Sequence, residues 1–192
     1  MVSLVIRRRQ PQLGTSMVEV LVTLVIIAFG LLGMAGLQMR LQVSEVESYQ
    51  RSQALLLLND MANRIATNRT AATAGSYAVA AASPLGAGMS CPGSTGTQAQ
   101  RDLKEWCEGL KGAGEVLDSN NAGAMIGGRG CVESVGGDIM VTVAWQGLTP
   151  IAAPPASVGC GANSYNGPAG SPCVNDLCRR TVTTLVRIAT LL

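Results

Sequence analysis

Histidine is absent from this chain of 192 residues. That removes Ser-His-Asp and Cys-His nucleophile arrangements, and it removes the commonest metal-binding side chain. Aromatics are scarce at 3% of residues, so a core must be built from Val, Leu, Ile, Ala and Met. A strongly basic balance is missing too. The net charge of +2 and the lack of a dense Lys/Arg face outside residues 7–9 give no argument for a direct nucleic-acid partner, and none is expected. Gly127-Gly128-Arg129-Gly130 lacks the Gly-Lys-Ser/Thr ending of a phosphate loop. The acids after residue 100 are scattered: Asp102, Glu105, Glu108, Glu115, Asp118, Glu133, Asp138 and Asp176. Asp102, Glu105 and Glu108 are helix neighbours and read as a solvated face. Nothing in this inventory supports catalysis, and none of it calls for a cofactor or a metal.

Charge is missing altogether between Val20 and Leu37. The run is long enough to span a bilayer. Arg7, Arg8 and Arg9 precede it, which orients the N-terminus to the cytoplasm and the rest outward. Glu19 sits just inside the start of this apolar stretch. A carboxylate there is costly unless something pairs with it, so it reads as functional. Ala35-Gly36 is a weak match to an ordinary signal-peptidase site. The apolar periodicity nevertheless continues through Leu41, Val46, Leu55, Leu58, Met61 and Ile65, and no proline intervenes between Pro11 and Pro84. One helix over residues 15–68 is expected, about 80 Å long. Leu55-Leu56-Leu57-Leu58 is apolar around its whole circumference. The chain's own domain covers one side of such a segment, and neighbouring subunits are the natural cover for the rest.

Cysteine is also absent until Cys91. All six (Cys91, Cys107, Cys131, Cys160, Cys173 and Cys178) follow the apolar run. An even number on the outer side of a membrane suggests disulfides in an oxidising space. Six cysteines allow 15 pairings, and the sequence does not choose among them. Free thiols are one rival. A four-cysteine zinc site is another, weakened by the lack of Cys-x-x-Cys and of His.

Gly14 followed by Thr15-Ser16-Met17-Val18-Glu19 and an apolar helix resembles the class III signal of type IV prepilins and type II secretion pseudopilins. The resemblance implies that a membrane prepilin peptidase cuts between Gly14 and Thr15, removes residues 1–14 and N-methylates Thr15. It also implies that Glu19 guides entry into a growing filament. The electrostatics agree, because the cut leaves a cationic amine one helical turn from Glu19. In a dry bundle that amine neutralises Glu19 of a neighbour, or its own. Two features depart from the pattern of major pilins. Thr15 stands where phenylalanine is usual, and Gly36 where many have proline. Gly36, with Gly30 and Gly33, serves either to weaken the helix or to permit close packing.

Further along, Arg51-Ser52-Gln53-Ala54, then residues 60–69, Tyr77, residues 102–106 and residues 141–145 resemble the PilV-type minor pilins, the type IV pilus modification proteins. The simpler reading of the charged residues among them is a solvated helix face. That family is α+β: a long N-terminal helix on a small antiparallel sheet, with residues 69–192 as the outer domain and residues 17–37 in the membrane. The resemblance implies a structural protein of the inner membrane and then of the pilus. Its partners there are other minor pilins, the major pilin and a tip adhesin, in support of adhesion, twitching motility or DNA uptake. A type II secretion pseudopilin and a signal-anchored periplasmic binding protein are the rivals. The sequon Asn68-Arg69-Thr70 is taken as chance.

Within the outer domain, Thr97 and Gln100 form a capping box for a short amphipathic helix carrying Leu103, Trp106 and Leu110, closed at Gly112. Trp106 reads as its core anchor. Residues 128–134 and 138–145 are expected strands around a Gly136-Gly137 turn, with Ile139, Val141, Val143 and Trp145 on one face. Residues 181–191 form a further strand. Residues 147–172, rich in Gly, Pro, Ala and Ser, make a long loop.

Overall fold

A computed structural model describes residues 16–93, 96–114, 116–117, 120–121, 123 and 125–188. The chain divides into two compact units, Met1–Val43 and Ser44–Leu192. Helix α1 spans Met17–Thr67 as one element. Its first turn is closed by the Ser16 carbonyl, which accepts from the amides of Glu19 and Val20 at 2.9 and 3.3 Å. In the first unit every described residue is exposed, and the helix passes through Gly30, Gly33 and Gly36 without a break. It is long and apolar enough to cross a bilayer. Gly14 and Thr15 lie outside the described residues, as do Glu115 and Asp118.

The second unit opens with the outer part of α1. Gln50, Ala54, Leu58, Met61 and Ile65 recur at helical spacing and are buried. A five-residue helix α2 (Arg69–Thr73) follows, then the two-residue strand β1 (Leu85–Gly86). Helix α3 (Gln98–Leu110) has the expected capping box. The Thr97 side chain accepts from the Gln100 amide, and the Gln100 side chain accepts from the Thr97 amide. A Schellman pair ends it: Ala113 donates to Glu108 and Gly112 to Gly109. Strands β2 (Val116–Leu117) and β3 (Asn120–Asn121) make a small ribbon.

The main sheet is antiparallel, in the order β1-β4-β5-β6, with β4 at Arg129–Val135, β5 at Asp138–Gln146 and β6 at Arg179–Val186. Strands β4 and β5 meet at a two-residue loop. Val135 pairs with Asp138, and Gly136 and Gly137 take φ of 61° and 92°. Positive φ at both positions is the type I′ geometry that glycine allows and that matches strand twist. Strand β6 ends at Val186, short of the expectation that it would run to residue 191. Residues 189–192 lie outside the described set.

The two faces of this sheet are covered differently. Val132, Val141, Val143 and Trp145 join Ala54, Leu58, Met61, Ile65, Tyr77 and Trp106 in one apolar core. Gly130 admits Trp106 so closely that any side chain there would collide with the indole. On the opposite face Cys131 bonds to Cys160, whose sulfur lies 4.0 Å from the Thr142 carbonyl. The long segment between β5 and β6 thus forms a second cover. As the composition implied, it contains turns and no strand or helix. The unit is α+β: helices on one face of a small antiparallel sheet.

Candidate functional site: a buried ionic hub and a bare helix face

Helix α1 meets the rest of the second unit through Arg64. Its Nε lies 3.0 Å from Asp60 one turn earlier, and its Nη1 lies 3.0 Å from Asp102 and 2.7 Å from Glu105 on α3. Asp102 is only 3% exposed. It accepts hydrogen bonds from the Tyr77 hydroxyl and from Gln98 Nε2 (2.8 Å) as well. Asn68 Nδ2 donates to the Tyr77 oxygen at 3.1 Å, which joins the end of α1 to the same network. Trp106 Nε1 donates to the Leu57 carbonyl at 2.9 Å, so α3 grips α1 by a second polar contact beside the apolar one.

Asp102 therefore corrects the solvated-face reading. The spacing Asp102/Glu105/Glu108 is that of a helix surface, but α3 turns Asp102 inward, toward a cation 38 positions earlier in the chain. Glu105 and Glu108 do stay at the surface. Burial by itself would raise the Asp102 carboxyl. Hydrogen bonds from Tyr77, Gln98 and Arg64 outweigh it and hold the group below its ordinary value. Burial, and then the bond to Asp102, pushes the Tyr77 phenol up to about 12. Burial also works against the charge on Arg64. Glu105, Asp60 and Asp102 more than compensate and raise it. A carboxylate fixed in its charged form, a phenol fixed as a donor and a guanidinium shared by three acids form a clamp, with no proton poised for transfer near neutral pH.

The remaining face of α1 is bare. Ala54 and Leu58 are buried and Leu57 packs on the core, while Leu55 and Leu56 are 40% and 65% exposed. This agrees with the expectation that the chain covers one side of the leucine run and leaves the other. Glu19 lies in the first turn of α1, exposed like its neighbours.

The second cover has its own clamp. Arg179, 4% exposed, donates to the carbonyls of Val158 (2.6 Å) and Cys160 (3.1 Å) and pairs with Asp176 at 3.2 Å. Asp176 also accepts from the Asn163 amide at 2.7 Å. Tyr165 donates to the Gly127 carbonyl at 2.8 Å and lies under the Arg129 guanidinium. Burial raises the Tyr165 phenol, against the opposing influence of Arg129. Glu47 of α1 accepts from the Leu148 amide (3.0 Å) and from Arg180 (3.3 Å), so the segment is tied at its start too. Sequence reasoning singled out none of Glu47, Arg129, Arg179 and Arg180. The available signal was that residues 147–175 carry no charge, which makes the arginines and acids bordering them natural fasteners.

All six cysteines are paired: Cys91 with Cys107, Cys131 with Cys160, and Cys173 with Cys178. No sulfur is left to ligate a metal, and among the described residues no group of three acids, cysteines or histidines gathers to hold one. Asn68, the sequon asparagine, has its amide committed to Tyr77. No family model, curated protein or solved structure matches the chain.

Proposed function

We propose that this chain is a pilin-type assembly protein, and within that class a minor pilin of the PilV type. Prepilin peptidase cuts it after Gly14 and methylates Thr15, and the mature helix passes from the inner membrane into a filament. There it joins other minor pilins, in a complex that primes polymerisation of the major pilin and serves adhesion, twitching motility or DNA uptake. The observation that carries this reading is continuity. The Gly14-Thr15 junction is followed in the sequence by one unbroken helix, Met17–Thr67, that carries Glu19 in its first turn and far exceeds a membrane span. The outer part of that helix is half clothed by a disulfide-tied domain, with Leu55 and Leu56 left uncovered. A simple signal anchor has no need of the additional 30 or so residues of helix, nor of bare leucines outside the bilayer.

The mechanism is an exchange of environments. In the membrane, lipid covers the first unit's apolar circumference. In the filament, helices of neighbouring subunits cover it. Apolar burial is similar in both, so the directing term is electrostatic. Glu19 needs a positive partner in a dry bundle, and the amine freed at Thr15 supplies one. The half-buried hub around Arg64 keeps the outer domain fixed on the helix it has to deliver.

Intact mass and N-terminal sequencing of the chain from its host's membranes test this. The expected N-terminus is N-methylated Thr15, and Gly14→Ala should block the cut. Glu19→Gln should be cut normally and recovered several-fold less in sheared surface filaments. An N-terminus at Met1, or one near Ala35, removes the proposal. A type II secretion role predicts the same maturation and separates at the next step, because loss of the gene would then stop protein secretion and leave surface pili intact.

A further inference from the structure

Asn166-Gly167 is the single Asn-Gly pair in the chain. Such a pair is chemically vulnerable. Glycine has no side chain to shield its amide, so that nitrogen can approach the preceding side-chain amide freely. The fold nevertheless calls for glycine at this point, because a Cβ on Gly167 would collide with the Ser171 side chain. Asn166 is exposed, so water and hydroxide reach it.

Both groups that would react are held. The Gly167 amide donates to the Cys173 carbonyl at 2.7 Å. Asn166 Oδ1 accepts from the Asp176 amide at 2.9 Å. The two anchors, Cys173 and Asp176, belong to the short loop closed by the Cys173–Cys178 disulfide. Ser171 Oγ accepts from the Cys173 amide at 3.1 Å and fixes the start of that loop. Asp176 in turn pairs with Arg179 and accepts from the Asn163 amide. An amide whose proton is committed to a carbonyl is neither readily deprotonated nor free to turn toward Asn166. Cys173 is half-buried, so a thiol can reach the disulfide from solvent.

We propose that Asn166 is a latent modification site, which deamidates when the Cys173–Cys178 loop is open and is protected while the loop is closed. The inference goes beyond the assembly reading and does not depend on it. A dithiol reductant opens the loop: its own sulfurs join as a disulfide, and Cys173 and Cys178 take up the two electrons and two protons. Hydroxide then removes the Gly167 amide proton. The nitrogen attacks Cγ of Asn166, the new C–N bond closes a succinimide, and the side-chain nitrogen leaves as ammonia. Water hydrolyses the ring to aspartate or isoaspartate. The net change is one amide converted into one carboxylate, with water consumed and ammonia released. Isoaspartate adds a carbon to the main chain between Asn163 and Asp176, whose bond helps to hold the outer cover, so a modified chain re-closes poorly. The modification is a permanent record of a transient reduction.

Incubation of the full chain in detergent at mildly alkaline pH tests this, with mass spectrometry of the fragment containing Asn166 reading the amide-to-acid conversion. The oxidised wild type is expected to convert at least roughly tenfold more slowly than the same chain reduced and unfolded in urea. Cys173→Ser with Cys178→Ser should approach the unfolded rate. Cys91→Ser with Cys107→Ser, which opens the loop ahead of α3, should stay near the wild-type rate. Hydrogen exchange of the wild type is the second measurement and needs no variant to fold. The Gly167 amide should be protected by about the factor that slows deamidation, because one opening exposes it to both reactions. Wild-type conversion at the unfolded rate, an unprotected Gly167 amide, a Cys173/Cys178 variant as slow as the wild type, or equal acceleration in the two cysteine variants overturns the proposal.

Discussion

The two faces of the main sheet are covered by different materials, each fastened by a disulfide and an arginine clamp. On the inner face, α1 and α3 bring Met61, Ile65, Trp106 and Leu110 onto Val141 and Val143. On the outer face, an uncharged segment rich in Gly, Pro and Ala lies over Cys131, Thr142 and Ala144. A helix supplies a continuous apolar stripe and satisfies its own backbone, so apolar burial leads there, and the Arg64 hub and the Cys91–Cys107 disulfide add to it. A loop of small residues supplies little apolar area and leaves its backbone groups needing partners. It depends mainly on a disulfide to β4 and on Arg179, which takes two loop carbonyls and Asp176 at once. Where side chains are too small to bury much, covalent and ionic fastenings take over.

The contrast can be broken first on the inner face. Trp106→Ala removes a fully buried indole and its bond to the Leu57 carbonyl, and should cost about 4 kcal/mol in denaturant unfolding of the full chain in detergent. On the outer face, Cys131→Ala with Cys160→Ala opens a loop of 29 residues, for which chain entropy gives about 3–4 kcal/mol. The two variants should differ in where protection is lost. Hydrogen exchange should rise over residues 156–166 in the cysteine pair and over α3 in the tryptophan variant. Identical exchange patterns would mean that the two covers are not separable.

Asp102→Asn comes next. It leaves Arg64 with two acids in place of three and weakens the acceptor for Tyr77, at an expected cost of about 2 kcal/mol. The same group makes the inner face sensitive to acid. Its folded value is below the ordinary 3.8, so its contribution is complete above that pH and fades as pH falls through the lowered value. Tyr77 has the opposite sign. Its stabilisation is complete below pH 10 and is lost as pH rises toward about 12. Tyr77→Phe should therefore flatten the alkaline limb of the stability curve, and an unchanged limb would remove the phenol from the hub.

The smallest expected effect sharpens the contrast from outside. Leu55→Ser with Leu56→Ser touches neither cover and should shift folding stability by less than about 1 kcal/mol. On the proposed pilin-type reading, the same pair should sharply reduce recovery of the protein in sheared surface filaments. A large loss of stability would show that these leucines have a partner within the chain.

Much of this arrangement was legible in local pattern. Thr97 with Gln100, and Gly136 with Gly137, specify a cap and a turn from residues within four positions of each other. The alternation of Val141, Val143 and Trp145 specifies a buried face in the same way. Long-range pairings were less accessible. Asp102 looks like a surface acid because Tyr77 and Arg64, which explain its burial, lie 25 and 38 positions away. The cysteine pairing and the two-residue strand β1 depend on the completed fold in the same manner. The stretches that carry the family resemblance, residues 60–69, Tyr77 and residues 102–106 among them, contain Arg64, Asn68, Tyr77 and Asp102 without setting them apart from their neighbours. Those four meet in one network only in the folded domain.

Asn68 has one more consequence. Its side-chain nitrogen is the atom an oligosaccharyltransferase would use at Asn68-Arg69-Thr70, and in the finished domain it faces the oxygen of Tyr77. Glycosylation would leave one N–H on that nitrogen but set a bulky sugar beside Tyr77, so sugar attachment and hub closure compete for the same space. A host equipped with such an enzyme would mark only those molecules caught before the domain closes, so the glycosylated fraction would act as a clock for how quickly the domain folds.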